Sequence, residues 1–132
     1  EMLGSMLEAF DRTIAYLKER KQFGVTIGSF QALQHRAAQM YSEIELCKSL
    51  VLSALQAIDK DSPKLSFLAS MTKAKVGETF NLVSNEAVQM FGGIGMTDEE
   101  EIGFFLKRAR VADHTFGDAN FHLDRFAKMQ GF

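Results

Sequence analysis

Tryptophan is absent from the 132 residues, and cysteine and proline occur once each. The lone Cys47 excludes an internal disulfide and any cysteine-based metal cluster, and it fits a reducing compartment, here taken as the cytoplasm. It falls on an apolar helical stripe, where a cysteine acts as a small buried hydrophobe. The lone Pro63 and ten glycines gathered at a few places leave room for long helices with few joints. No apolar run approaches the ~20 residues of a membrane span, and no signal peptide is visible. A formal charge of −2 gives no electrostatic reason to expect nucleic acid or a membrane surface as partner. What is present, 46% hydrophobic and 24% charged residues, is the balance of one globular domain with its own core. A helical pattern already running at Glu1-Met2-Leu3, with no cap before it, leads us to expect a domain cut from a longer polypeptide.

Four runs carry helical periodicity. Leu3, Leu7, Phe10, Ile14 and Leu17 form one stripe, which ends in Lys18-Glu19-Arg20-Lys21, basic charge suited to a helix C-terminus. Gln22-Phe23-Gly24 breaks the pattern, and Val25 to Gly28 reads as a short extended connection. Ser29 is the expected N-cap of a second run, from Phe30 through Leu33, Ala37, Met40, Ile44, Cys47, Val51 and Ala54 to Ile58. Asp59 to Pro63 is a joint, with Ser62 as N-cap and Pro63 at the first helical position. The third run, Leu65, Leu68, Thr72, Val76, Phe80, Val83, Ala87 and Met90, stops at Gly92-Gly93. Thr97 or Asp98 is expected to cap the fourth, with Glu99, Glu100 and Glu101 in its first turn. Its stripe, Ile102, Phe105, Ala109, Ala112 and Phe116, continues after Gly117 with Phe121, Phe126 and Met129. The expected fold is all-α: an up-down-up-down four-helix bundle of long helices over residues 1–132, the last bent or interrupted near Gly117. No strand is expected.

Several polar residues sit at the joints rather than on the outer faces. Helices one and three run the same way, so Arg20 and Gln89 should meet at one end, where Gln31 opens the antiparallel second helix. A guanidinium suits bidentate phosphate contact, and backbone N–H groups freed at glycine can complete such a site. The plainer reading stands beside it: Arg20 as a solvated helix-end cation, and Gly92-Gly93 as a helix C-cap. His35, His114 and His122 lie far apart, and Asp118 with His122 makes a single i,i+4 pair, so no metal site is expected. No nucleophile elbow, P-loop or dinucleotide fingerprint is present.

Taken together and in order, Arg20-Lys21-Gln22-Phe23-Gly24, Ser29-Phe30-Gln31 and Gln89-Met90-Phe91-Gly92-Gly93-Ile94-Gly95-Met96 resemble the C-terminal helical domain of the acyl-CoA dehydrogenase family, over nearly the whole chain. The resemblance implies a protein with a helical and a β-domain before this one. It also implies FAD bound between subunits of a dimer or tetramer, identical or homologous, and oxidation of acyl-CoA to trans-2-enoyl-CoA as in fatty-acid β-oxidation. An electron-transfer flavoprotein is the implied electron acceptor. By the same resemblance, Arg20 would contact the FAD pyrophosphate, with Gln22 and Phe23 beside it, and Phe30 and Gln31 would line the cofactor. Gln89 through Gly93, the Gly92-Gly93 pair included, would approach the adenosine side of FAD held mainly by the partner subunit, and Asp118 and Asn120 occupy flavin-contacting positions.

One departure bears on the chemistry. In many members a glutamate in a Tyr-Glu-Gly-Thr motif removes the α-proton, and the matching residues here are Thr115-Phe116-Gly117-Asp118. Phe116 stands where the base is expected, and a phenyl ring takes no proton. If the segment were helical, Asp118 would lie ~200° around the axis from residue 116 and face elsewhere. Lys107-Arg108-Ala109-Arg110 also departs from the family's Arg-Asp-Ala. Three explanations remain open: a glutamate upstream of Glu1, as in long-chain and isovaleryl-type members; a non-catalytic subunit whose partner supplies the base; or a helical module with no dehydrogenase activity. The isolated domain is expected to be inactive.

Overall fold

The structure, a computed structural model, describes residues 1–132. Helix α1 spans Met2–Glu19, α2 Gln31–Asp59, α3 Leu65–Phe91, α4 Ile102–His114 and α5 Ala119–Gln130. The four expected runs are all helical, and the fourth is divided at the expected place into α4 and α5. None of the helices is long and apolar enough to cross a membrane.

The centre of the bundle is α3, which touches each of the other four helices. It is accordingly buried nearly all round: Ala74, Val76, Phe80, Val83, Ala87 and Met90 join the core, and so do Ser70, Thr79 and Ser84. The line that α1 sends inward is Met6, Ala9, Thr13 and Leu17. It is offset from the aliphatic stripe, whose Leu3, Leu7, Phe10 and Ile14 pack half-buried along its flank. Thr13 fits the dry interior because its hydroxyl donates to the Ala9 carbonyl at 2.7 Å. The second helix buries Met40, Ile44 and Cys47 as its periodicity requires. At its end the stripe has drifted, so Ala57 faces the core and Ile58 is exposed.

The joints differ from expectation. Lys21–Gln22 and Val25–Thr26 form a minimal antiparallel hairpin, β1 and β2, where no strand was predicted. Its two loop residues, Phe23 and Gly24, both have positive φ (55° and 80°), the requirement of the tight turn whose twist matches paired strands. None of the three expected N-caps holds. The Ser29 hydroxyl donates instead to the Thr26 carbonyl at 2.7 Å, inside a short 3₁₀ turn at Ile27–Ser29, and Phe30 flanks α2 without a side-chain cap. Ser62 Oγ accepts from the Lys64 N–H at 3.3 Å, and Pro63 lies in a turn before α3 starts at Leu65. Thr97 Oγ1 accepts from the Glu99 N–H at 3.3 Å, so Asp98 to Glu101 form a turn ahead of α4 rather than its first turn. In each case the hydroxyl finds its local backbone partner one turn too early.

Candidate functional site

The last turn of α1, the hairpin, the entry of α2 and the glycine-ended tip of α3 enclose a cleft of about 540 Å³. Its floor is aromatic: the Tyr16 ring stacks on Phe91 at 4.1 Å between centroids, and the Tyr16 hydroxyl donates to the Phe91 carbonyl at 3.3 Å. One wall is formed by Arg20, the C-cap of α1, and by the hairpin, which carries Gln22 and Phe23, with Phe30 edge-on to Phe23 at 6.1 Å. Facing them are Gln89, Gly92 and Gly93. The hairpin is held against α1 by the Ile27 N–H donating to the Arg20 carbonyl at 2.9 Å. Gln34 Nε2, one turn into α2, donates to the Gly28 carbonyl at 3.0 Å. Gly28 itself lies so close to α1 that a Cβ there would sit 2.7 Å from the Leu17 carbonyl oxygen.

Charge in the cleft has one sign, since Arg20 is its only ionisable cation and no carboxylate lines it. Arg12, Arg36 and Arg108 each pair with a glutamate, and Arg125 donates to Ser66 and Ser70. Arg20 has no such partner and is exposed at the cleft mouth. The glycine tip is a genuine C-cap: Gly92 takes φ 70° and ψ −145°, and its N–H returns to the Val88 and Gln89 carbonyls. That N–H is therefore not freed for a ligand, contrary to expectation. What the glycines leave is room, because a Cβ at Gly92 or Gly93 would meet nothing within 4 Å. An anion with a flat, stackable body fits such a surface: guanidinium on one side, side-chain-free backbone on the other, aromatic rings beneath.

The ten residues singled out from sequence fall in two places. Arg20, Gln22, Phe23, Phe30, Gln89, Gly92 and Gly93 line the cleft, whereas Gln31 heads α2 beside it without lining it. Asp118 and Asn120 lie at the joint of α4 and α5, which Lys73 ties to α3. That is about 24 Å along α3 from Gln89 at ~1.5 Å per residue. Thr115 to Asp118 is not helical, so the rotation argument against Asp118 lapses. A different reason replaces it: Asp118 is the N-cap of α5, its Oδ1 accepting from the Phe121 N–H at 2.8 Å. Phe116 does not continue the α4 stripe either; its φ is 62° and its ring is exposed. Tyr16, Ile27, Leu33 and Ile94 were missed as cleft residues. Tyr16 had a readable signal, one turn before Arg20 and so on the same face.

The family model described as "Acyl-CoA dehydrogenase, C-terminal domain" matches residues 1–130. The chain belongs to the acyl-CoA dehydrogenase family. Among acyl-CoA dehydrogenases, the short/branched chain specific mitochondrial enzyme of Bos taurus is 33% identical over 128 residues, 97% of this chain and 29% of that protein. Acyl-CoA dehydrogenase IpdE2 of Mycolicibacterium smegmatis is 34% identical over 95% of this chain and 38% of its own length. The solved butyryl-CoA dehydrogenase of Megasphaera elsdenii superposes with a TM-score of 0.93 at 26% identity, over 98% of this chain and 33% of that one. The sequence thus spans well under half of the acyl-CoA dehydrogenases it matches.

Proposed function

We propose that this chain is the FAD-contacting and subunit-joining C-terminal domain of an acyl-CoA dehydrogenase that converts acyl-CoA to trans-2-enoyl-CoA. The observation that carries it is the convergence of unpaired Arg20 with the glycine-ended tip of α3 across one aromatic-floored cleft. Arg20 would neutralise the pyrophosphate, Gln22 and Gln89 would hydrogen-bond the nucleotide, and Gly92 and Gly93 would let it approach the backbone. Gln31 and Asn120 are proposed as further polar contacts. Asp118 is proposed as a contact through its backbone, its carboxylate being engaged by α5. Bound FAD supplies the two-electron acceptor for the hydride leaving Cβ.

The α-proton must go to a carboxylate that residues 1–132 do not place there. Phe116 has no basic atom, so a glutamate upstream of Glu1 or one on a homologous subunit completes the reaction. The second arrangement makes this chain the non-catalytic member of a heteromeric pair. An identical or homologous subunit is the proposed partner, acyl-CoA the substrate and an electron-transfer flavoprotein the acceptor; a cytoplasmic setting is proposed from the free, buried Cys47.

The test is FAD retention by the full-length protein. Replacing Arg20 with Ala removes a charge-assisted contact of about 1.5–3 kcal/mol, so FAD affinity should fall roughly ten- to hundredfold. A full-length protein that purifies without flavin and takes none up would sink the reading.

A further inference from the structure

The facing walls of the cleft belong to different helices, with Arg20 at the end of α1 and Gly92-Gly93 at the end of α3. Their spacing must be set by whatever joins those two ends. The glycines themselves are not braced, since a Cβ at either one would meet nothing within 4 Å. Their seat comes from behind, through Phe91, the buried last residue of α3. On one side of Phe91 lies Gly95, where an added Cβ would stand 2.9 Å from the Phe91 Cβ. Against its ring lies Tyr16, 4.1 Å away between centroids and 14° from parallel.

Tyr16 reaches both walls. Its backbone carbonyl accepts from the Arg20 N–H at 2.9 Å, where the chain leaves α1. Its hydroxyl donates to the Phe91 carbonyl at 3.3 Å, and no other hydrogen bond joins α1 to α3. Direct contacts thus run from Arg20 through Tyr16 and Phe91 to the glycine tip. The two parts of the side chain do not weigh equally. An O–H···O distance of 3.3 Å is longer than the usual ~2.7–2.8 Å, so the hydroxyl contributes little. A stacked aromatic pair adds to the burial of both rings. The ring carries most of the tie.

We propose that Tyr16 is the positioning residue of this cleft, setting the gap between the Arg20 guanidinium and the Gly92-Gly93 backbone so that both meet one diphosphate. The inference rests on the FAD reading and adds to it a residue that acts through others rather than on the phosphates. A guanidinium and a backbone already held at the right separation bind an anion with less ordering than two that move independently.

The test is a double-mutant cycle on FAD affinity. Full-length protein is stripped of flavin and titrated with FAD, and the melting temperature of each apoprotein is measured alongside. Tyr16→Phe keeps the ring and should weaken FAD by about two- to threefold. Tyr16→Leu loses the stack and should weaken it by about tenfold. In an Arg20→Ala background the Tyr16→Leu effect should shrink to less than about twofold, because the group being positioned is gone. If Tyr16→Leu does not fold, Tyr16→Met, whose flexible chain refills the space, takes its place in the cycle with the same expectations. A loss that stays at about tenfold in the Arg20→Ala background is general loosening and overturns the positioning role. Wild-type FAD affinity in Tyr16→Leu overturns it too, and either result leaves the FAD reading standing. Wild-type affinity in Arg20→Ala removes the diphosphate contact and the positioning role with it. Unaltered protein that takes up no FAD ends the FAD reading and this inference together.

Discussion

Cys47 has none of its surface exposed, and burial pushes its thiol pKa above the ordinary range because the thiolate would lose its hydration. The sign follows. The folded protein holds the thiol proton more tightly than the unfolded chain, so this contribution to stability is complete below the unfolded thiol's pKa. It is lost as pH rises through that value towards the raised folded one, with a slope of at most ~1.4 kcal/mol per pH unit. In urea titrations of the full-length protein, the stability gap between wild type and Cys47→Ala should narrow from pH 7.5 to pH 10; a constant gap would show that folding does not raise the thiol pKa. Alkylation of Cys47 should be slow in the native protein and fast in denaturant. Tyr16 shows a different residue-level economy. One side chain supplies the cleft floor by stacking on Phe91 and secures the α3 terminus by hydrogen-bonding its carbonyl.

At the scale of elements, each helix was legible from its spacing, because a three–four alternation sustained over several turns has few other solutions. Position 57 facing inward while Ile58 is exposed marks where a drifting stripe was followed one residue too far. Joints were less legible. Ser29, Ser62 and Thr97 are residue types that cap helices, yet the same hydroxyls close tight turns equally well, and nothing local in the sequence separates the two uses. Phe23-Gly24 was read as a helix stop, and the hairpin was missed because two-residue strands leave no alternation to count. That hairpin is what carries Gln22 and Phe23 to the cleft, and Gly28 sets its seat on α1. Gly28→Ala would drive a methyl group into the Leu17 carbonyl oxygen, 2.7 Å away, and the obstacle is backbone rather than a movable side chain. The expected outcome is about 1–3 kcal/mol of lost stability, with weaker FAD retention because the hairpin must tilt off α1. Urea midpoints and flavin content of the full-length variant check both parts; a stable variant with full flavin would show that the hairpin's seat does not govern the cleft.

Across the whole molecule, α3 is the common beam between the cleft at its C-terminal tip and the Phe116 turn tied to Lys73 about 24 Å away along its axis. Among the ion pairs that join elements, Arg12 with Glu101 and Arg108 with Glu1 lie on the surface, where pairs contribute little. The more sheltered Arg36 with Glu86 and Lys75 with Glu43 tie only α2 to α3 and do not reach the Phe116 turn. Registration of the two regions must therefore come from packing, and Phe80 is the largest fully buried side chain of that packing. Phe80→Ala should cost about 3–5 kcal/mol, the range for removing a buried aromatic ring. That loss is a large share of a domain's usual net stability of roughly 5–15 kcal/mol. Because one core joins both regions, the variant should lose flavin and acyl-CoA affinity together, at the temperature where its helices melt. Arg20→Ala should behave differently, with flavin weakened while the apoprotein melts as wild type. Calorimetry with parallel flavin fluorescence separates the two cases. A Phe80→Ala protein that releases flavin well below its helix-melting temperature would mean that the cleft and the core unfold as separate units, and that α3 does not couple them.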